Sequence, residues 1–303
     1  MAYPIPDLDG FIDEVQDALV PRMRRQLTAA QFVTDRTVED LGIKEYRWQE
    51  RTDLDGVRAT MEIPDPSQSD QGNIIEHNVE IPVFTRDMHY DGRDFLAYQR
   101  TGLDTTDAEE AGRIMGEFLN DYFYLGGGLS GEDIPGPDTG LLNNPDRLEV
   151  DNTASSNWEN PEDFVNDLAE AIADLGLHRQ DPPYVLLADP ADMDLFQKVR
   201  SDTDARATDL LQDDMIRGPV FDEVVTGTRD ENGNSQTGEM FLFKASSDNY
   251  DWVTPFSGFG DVRRVTEEGE DLMGQGLWVR WLTSGAPRVI RGDSVCRVVG
   301  DRS

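Results

Sequence analysis

Lysine is almost missing from this chain: its 303 residues include only Lys44, Lys198 and Lys244, and every other basic residue is arginine. A single cysteine, Cys296, excludes an internal disulfide. Its setting, SVCRVV, alternates like a strand and reads as a buried structural thiol. The three histidines, His77, His89 and His178, lie far apart and match no close-spaced metal signature. No apolar run approaches the ~20 residues that a membrane helix needs. The opening MAYPIPDLDG has no basic stretch followed by an apolar one, so no secretory signal is expected. Basic surface is scarce too. With 27 basic against 61 acidic residues the net charge is −34, which disfavours a face built to grip nucleic-acid phosphates.

What is abundant is acid, spread along the whole chain and interleaved with apolar residues. That differs from an acidic disordered tail, which comes as a block with few aromatics. At 1 M salt the Debye length is about 3 Å, so carboxylate repulsion is screened and such a surface stays compact and soluble. The composition therefore suits a folded protein from a near-saturated salt cytoplasm, with an ordinary acidic mesophilic protein as the alternative. The length suggests about two domains.

Residues 11–33 place Phe11, Val15, Leu19 and Met23 four apart, the stripe of an amphipathic helix, with Pro21 as an expected kink. Arg22, Arg24 and Arg25 form the one basic cluster, read either as a solvated face pairing with neighbouring acids or as a contact arm. Residues 46–84 read as a long two-stranded ribbon. Asp55-Gly56 supplies a two-residue turn signal, and Val79, Ile81 and Val83 share one face of the returning strand. Such a ribbon is marginal alone in water and must lie on something. Residues 104–125 are the strongest helix, with a capping box expected from Thr106 and Glu109. At 1.5 Å per residue it runs about 30 Å, a spine.

From about 158 the pattern becomes α/β. NPEDFVNDLAEAIADLG is a helix with Asn160 as cap, Pro161 at its first position and Gly176 beyond its end. YVLLA, residues 184–188, is a short buried strand. DPADMDLFQKVRSD starts a second helix capped by Asp189, and ATDLLQDDMIRG is a third. VFDEVVTG, EMFLFKAS, GLWVRWLTSG, PRVIRG and SVCRVVG read as strands.

The glycine run Gly126–Gly128 follows the spine helix. A phosphate loop needs strand, then glycines, then a helix N-terminus, with a Lys-Ser/Thr pair that is missing here. These glycines end a helix and redirect the chain. Ser130 in GGLSGE lacks the second glycine of a nucleophile elbow and follows a helix. DLDG at Asp7–Gly10 and the stretch Asp230–Glu239 lack the glycine and glutamate positions of a calcium loop. No catalytic, cofactor or metal residues are assigned. The acid clusters suit loosely held Mg²⁺, K⁺ or Ca²⁺ without a defined site.

The order of these elements resembles the capsid fold named for bacteriophage Hong Kong 97, shared by tailed phages, tailed archaeal viruses and encapsulin nanocompartments. The likeness covers nearly the whole chain. IPGPDTGLL after the spine helix is similar to the G-[IV]-x-G-L-L turn of encapsulins, and DMIRGPVFDEVVTG to a G-x-P-[IV] turn before a strand near the capsomer axis. The resemblance implies an α+β fold in four parts: an N-terminal arm (1–45), an extended loop (46–84), a peripheral domain (85–150 and 236–284) and an axial domain (151–235 and 285–303). It implies a non-enzymatic major capsid protein that self-assembles through hexamers and pentamers into an icosahedral shell around double-stranded DNA. Portal and accessory or decoration proteins would be its partners. The shell would form in the host cytoplasm without a membrane and end as the virion capsid. With the salt argument, the host would be a haloarchaeon.

The implied assembly residues are Arg22, Arg24, Arg25, Trp48, Asp55, Gly56, Gly126, Gly127, Gly128, Gly218 and Pro219. Some members crosslink through a lysine of the extended loop. Residues 46–84 hold no lysine, so no such crosslink is expected, nor a separate scaffolding segment ahead of the arm. An encapsulin-like shell is the second reading, kept open by the helix at 11–33, which encapsulins use to hold cargo. An α/β enzyme would need a convergent pocket that the sequence does not offer, and a surface-layer protein would need a signal.

Overall fold

The computed structural model describes residues 8–38, 43–51, 74–90, 94, 98, 102, 104–127, 134–197, 215–226, 237–256, 262–266 and 277–302. Two long helices meet at its centre. Helix α1 (Leu8–Gln26) buries Phe11, Val15, Leu19 and Met23, the stripe legible in the sequence. Helix α2 (Thr106–Leu125) lies against it. The two backbones nearly touch because Gly112 and Gly116, four apart on α2, present no side chain to α1. A Cβ on Gly116 would sit 2.5 Å from the Met23 carbonyl oxygen, and one on Gly112 would collide with that of Leu19. Close approach of this kind is what small residues at i, i+4 permit.

Among the described residues the strands form four sheets. Strand β1 (Asp35–Thr37) runs parallel to β9 (Tyr250–Thr254), which pairs antiparallel with β12 (Ala286–Val289). Strand β4 (Val83–Tyr90) and β10 (Arg263–Thr266) flank β11 (Leu277–Ser284), all antiparallel. The largest sheet has the order β5-β13-β8-β6-β7, from Leu148–Asp151, Val295–Asp301, Thr237–Phe243, Tyr184–Ala188 and Ile216–Phe221. Strand β2 (Glu45–Arg51) pairs only with β3 (Ile74–Glu80), antiparallel, among the described residues.

Strand alternation decides what the five-stranded sheet packs on each face. Leu186, Ala188, Met240, Leu242, Cys296 and Val298 face helix α3 (Pro161–Leu177), through its Phe164, Leu168, Ala171 and Leu175. Val185, Leu187, Phe241, Phe243 and Val295 face the other way, into the cluster formed by α1, α2 and strands β4, β9 and β11. Both faces of the sheet are covered, so its strands read as apolar runs, as YVLLA does. Aromatic edges fill the central cluster: Phe84 meets Phe118 at 5.0 Å and Tyr122 at 4.9 Å, and Phe11 meets Tyr90 at 5.0 Å.

Several local expectations are corrected. Helix α1 ends at Gln26, and residues 28–31 tighten into a 3₁₀ turn. Pro21 lies within α1 and does not end it. Thr106 and Glu109 form no capping box. Thr105 is the cap residue, without a side-chain bond to the helix backbone, and Asp104 accepts the Thr106 N–H instead at 3.0 Å. The acceptor has moved one residue outward because Asp104 also takes the Thr106 hydroxyl. Asn160 caps α3 as expected, accepting the Glu162 N–H at 3.2 Å. Gly176 lies inside that helix rather than beyond it, and Arg179 takes the left-handed conformation at φ 60°.

Asp189 caps as expected, accepting the Ala191 N–H, but it opens two short 3₁₀ turns, Pro190–Asp192 and Leu195–Gln197, rather than a helix across the described stretch. Ile216–Gly218, expected at a helix end, begin β7, which stops at Phe221; Asp222 then turns the chain. Strand β8, grouped by the sequence with the peripheral strands, is hydrogen-bonded between β13 and β6. The turn at Asp55-Gly56, the stretch 230–236 and most of ATDLLQDDMIRG lie outside the described residues.

Candidate assembly surfaces

The β2–β3 ribbon is amphipathic across its width. Register pairs Tyr46 with Val79, Trp48 with His77 and Glu50 with Ile75, so these share one face. Glu45, Arg47, Gln49, Glu76, Asn78 and Glu80 share the other. On the first face Trp48 stacks on His77 at 5.2 Å and 17°, and on Tyr46 at 6.2 Å. Burial falls off along it: Val79 is 4% exposed and Ile75 43%. Toward Ile75 this face therefore shows apolar surface among the described residues.

At its root the ribbon meets a buried ionic knot. Asp251 of β9 is 1% exposed, and it accepts Arg288 Nε at 2.8 Å and Arg36 Nε at 2.7 Å, with a further bond from Arg288 Nη2. Arg288, 5% exposed, carries its guanidinium carbon 5.4 Å from the Tyr46 ring centre and 5.3 Å from that of Trp48. The Arg36 pKa is raised, first by its bond to Asp251 and further by Tyr46. Three strands, β1, β9 and β12, thus converge on the two aromatic residues that begin the ribbon.

A second polar junction joins the α1 end, the spine and the turn after β7. The Thr28 hydroxyl bonds Asn120 Oδ1 at 3.0 Å and also reaches Asp222. Asn120 Nδ2 donates to Asp222 Oδ2 at 2.8 Å. These residues line a cleft of about 600 Å³ together with Arg25, Asp121 and Glu223. Burial pushes the Asp121 carboxyl up to about 6, with Asp222, Glu117 and Glu223 adding to the effect. Asp192 is likewise pushed up to about 6 by burial, against the pull of Arg302. No group of three or more His, Cys, Asp or Glu side chains placed to hold a metal occurs among the described residues.

The residues expected at contacts fall in separate places. Arg22 is half-buried on α1, while Arg24 and Arg25 are exposed in its last turn, where cations favour the helix carbonyl end. Gly126 ends the spine with φ 70°, and a Cβ there would sit 2.6 Å from the Thr139 carbonyl carbon. Gly127 donates its N–H to the Pro137 carbonyl at 2.7 Å, locking the turn. Gly218 is the bulged residue of β7, where Val185 pairs with Arg217 and Leu186 with Pro219. Gly128, Asp55 and Gly56 lie outside the described residues. Cys296 is fully buried, and burial pushes its thiol up to about 12.

Sequence reasoning does not find Asp251, Arg288 or Arg36. Nothing local marks them, since the bonded side chains come from three separate strands. The G-x-x-x-G spacing of Gly112 and Gly116, by contrast, is a local signal from which the close helix crossing could be read.

No known sequence family and no curated protein matches this chain. Solved structures do. A virus-like particle from Pyrococcus furiosus superposes with a TM-score of 0.63 at 15% identity, over 95% of this chain and 99% of that one. The capsid of Myoviridae phage XM1 gives 0.65 at 12%, over 90% and 92%. This is the Hong Kong 97-type capsid fold. The encapsulin complex of Synechococcus elongatus carries the fold as well, with a TM-score of 0.54 at 14% identity over 98% of this chain and 91% of that one. Coverage of 90–98% of this chain and 91–99% of those means that the capsid fold accounts for nearly all of it. No helix among the described residues is long and apolar enough to cross a membrane.

Proposed function

We propose that this chain is a non-enzymatic shell subunit, the major capsid protein of a tailed virus of halophilic archaea, closing around double-stranded DNA. The observation that carries the shell reading is the end-to-end match to particle-forming proteins. The apolar face of the ribbon supports it: Tyr46, Trp48 and His77 are only half-buried and Ile75 is exposed, a two-stranded element of this kind needs a second surface to lie on, and a neighbouring subunit in a closed symmetric assembly supplies one. The net charge of −34 supports the saline host. On this reading the arm spans 1–45 and the extended loop 46–84, and the peripheral and axial parts keep their expected bounds except that β5 and β8 join the axial sheet and β12 pairs with β9 of the peripheral part. Hexamers and pentamers are the building units, and a portal and accessory capsid proteins complete the virion. Arg22, Arg24, Arg25, Trp48 and the Gly218-Pro219 bulge belong to subunit contacts, assembled in the host cytoplasm.

An encapsulin-like compartment is the second reading. It is favoured by the share of this chain that the Synechococcus encapsulin covers, 98% against 90% for the phage XM1 capsid. Particles purified from a haloarchaeal host in molar KCl separate the two. Nuclease-protected DNA of uniform length supports the virus, and a co-purifying folded protein cargo without DNA supports the compartment.

A further inference from the structure

The root of the ribbon carries more order than a loop attachment requires. The Arg288 guanidinium is held by two bonds to Asp251, itself buried and shared with Arg36, and lies over both Tyr46 and Trp48. An arginine is suited to this task and a lysine is not. Its planar fork bonds a carboxylate through two nitrogens while its face stacks on aromatic rings. Buried in this way, the clamp is screened little by salt, whereas exposed pairs such as Arg47–Glu45 are screened strongly.

We propose that Arg288 is a positioning residue that sets the angle at which the β2–β3 ribbon leaves the body, and through it the geometry of subunit joining. The inference rests on the shell reading for its consequence, not for the clamp itself. The lever is long: a seven-residue strand spans about 23 Å, so a tilt of about 10° at the root moves its far end by about 4 Å. Repeated in every subunit, an error of that size changes the curvature at which a symmetric shell closes. Asp251 and Arg36 hold the clamp still, and Tyr46 and Trp48 transmit it to the ribbon. His77 and Val79, across the register, spread the contact to the second strand.

The test uses the full chain in molar KCl with two variants, Arg288→Lys and Trp48→Leu. The first keeps a positive charge for Asp251 but loses the fork and the stack. The second leaves the buried ion pairs intact and removes the ring. Hydrogen exchange is followed by mass spectrometry over 45–51 and 74–80, with α2 and α3 as internal references, and assembled particles are sized by electron microscopy. Both variants are expected to speed exchange in the ribbon at least tenfold, leave α2 and α3 unchanged, and broaden the particle sizes. Unchanged ribbon exchange, or acceleration spread equally over α2 and α3, overturns the proposal. If Arg288→Lys fails to fold, Trp48→Leu decides alone. If the wild-type chain forms no particles, the shell reading fails while the exchange result still decides the clamp.

Discussion

Gly116 has no room for a methyl group. The Met23 carbonyl and the Gln26 Cβ stand 2.5 and 2.9 Å from where a Cβ would lie. The first of these is backbone, so relief requires α1 to move off the spine. Forced overpacking of this kind costs about 1–3 kcal/mol. Gly116→Ala should lower the denaturant midpoint in molar KCl without changing its slope, and an unchanged midpoint would show that the helices do not meet so closely. Asp121 makes a pH-dependent counterpart. Its folded pKa of about 6 stands above the ordinary 3.8, so between these values the folded state binds the extra proton. Stability from this group therefore falls as pH rises through that window. Asp192 contributes with the same sign. Asp121→Asn should match the wild type near pH 4 and exceed it in stability at pH 7, read from unfolding midpoints at both pH values. Because burial is the leading cause, the gain should persist in molar salt. Equal stability at pH 7 would contradict it.

Elements differ in how legible they were, and the difference is one of range. The stripe Phe11, Val15, Leu19, Met23 repeats with the helix itself, so local spacing revealed α1 and its buried face. Asn160-Pro161 revealed the start of α3 for the same reason: cap and first-turn residues are adjacent. Asn160→Ala should cost about 0.5–2 kcal/mol, measured as a shift in the thermal midpoint, with no change expected if the cap bond is unimportant. The segment after Asp189 misled because Pro190 and the cap are equally good starts for a 3₁₀ turn and an α-helix, and packing of Leu195 and Phe196 on α3 settles which forms. At Gly176, helix propensity favours a stop, yet the helix runs one residue further to Leu177, and the His178 N–H closes it on carbonyls of the last turn. The ribbon was readable as a ribbon from its alternation, but its end was not: pairing stops at Glu80, and Val83, expected on the face of Val79 and Ile81, opens β4 in another sheet and is exposed. The clamp at its root was not readable either, because Asp251 and Arg288 lie on separate strands and have no joint pattern.

For the whole molecule, the order of elements was legible and the contacts between subunits were not. Order is written along the chain, whereas an interface is a property of two copies. Charge is the exception, because net charge acts through the summed field of the surface. Diluting assembled particles below about 1 M salt lengthens the Debye distance beyond 3 Å and restores repulsion between acidic neighbours. Light scattering should then fall as shells loosen, and particles that stay intact after long exposure to millimolar salt without divalent ions would contradict this. Residues 46–84 contain no lysine, so denaturing gels of the same particles should show one band near 34.0 kDa. A ladder would point to a covalent joint of another chemistry.

The most direct measurement is electron microscopy of the purified chain, expressed in a haloarchaeal host and kept in molar KCl. Closed icosahedral shells, or free hexamers and pentamers, are the predicted result. A monomer that persists at every salt and protein concentration would contradict a shell subunit.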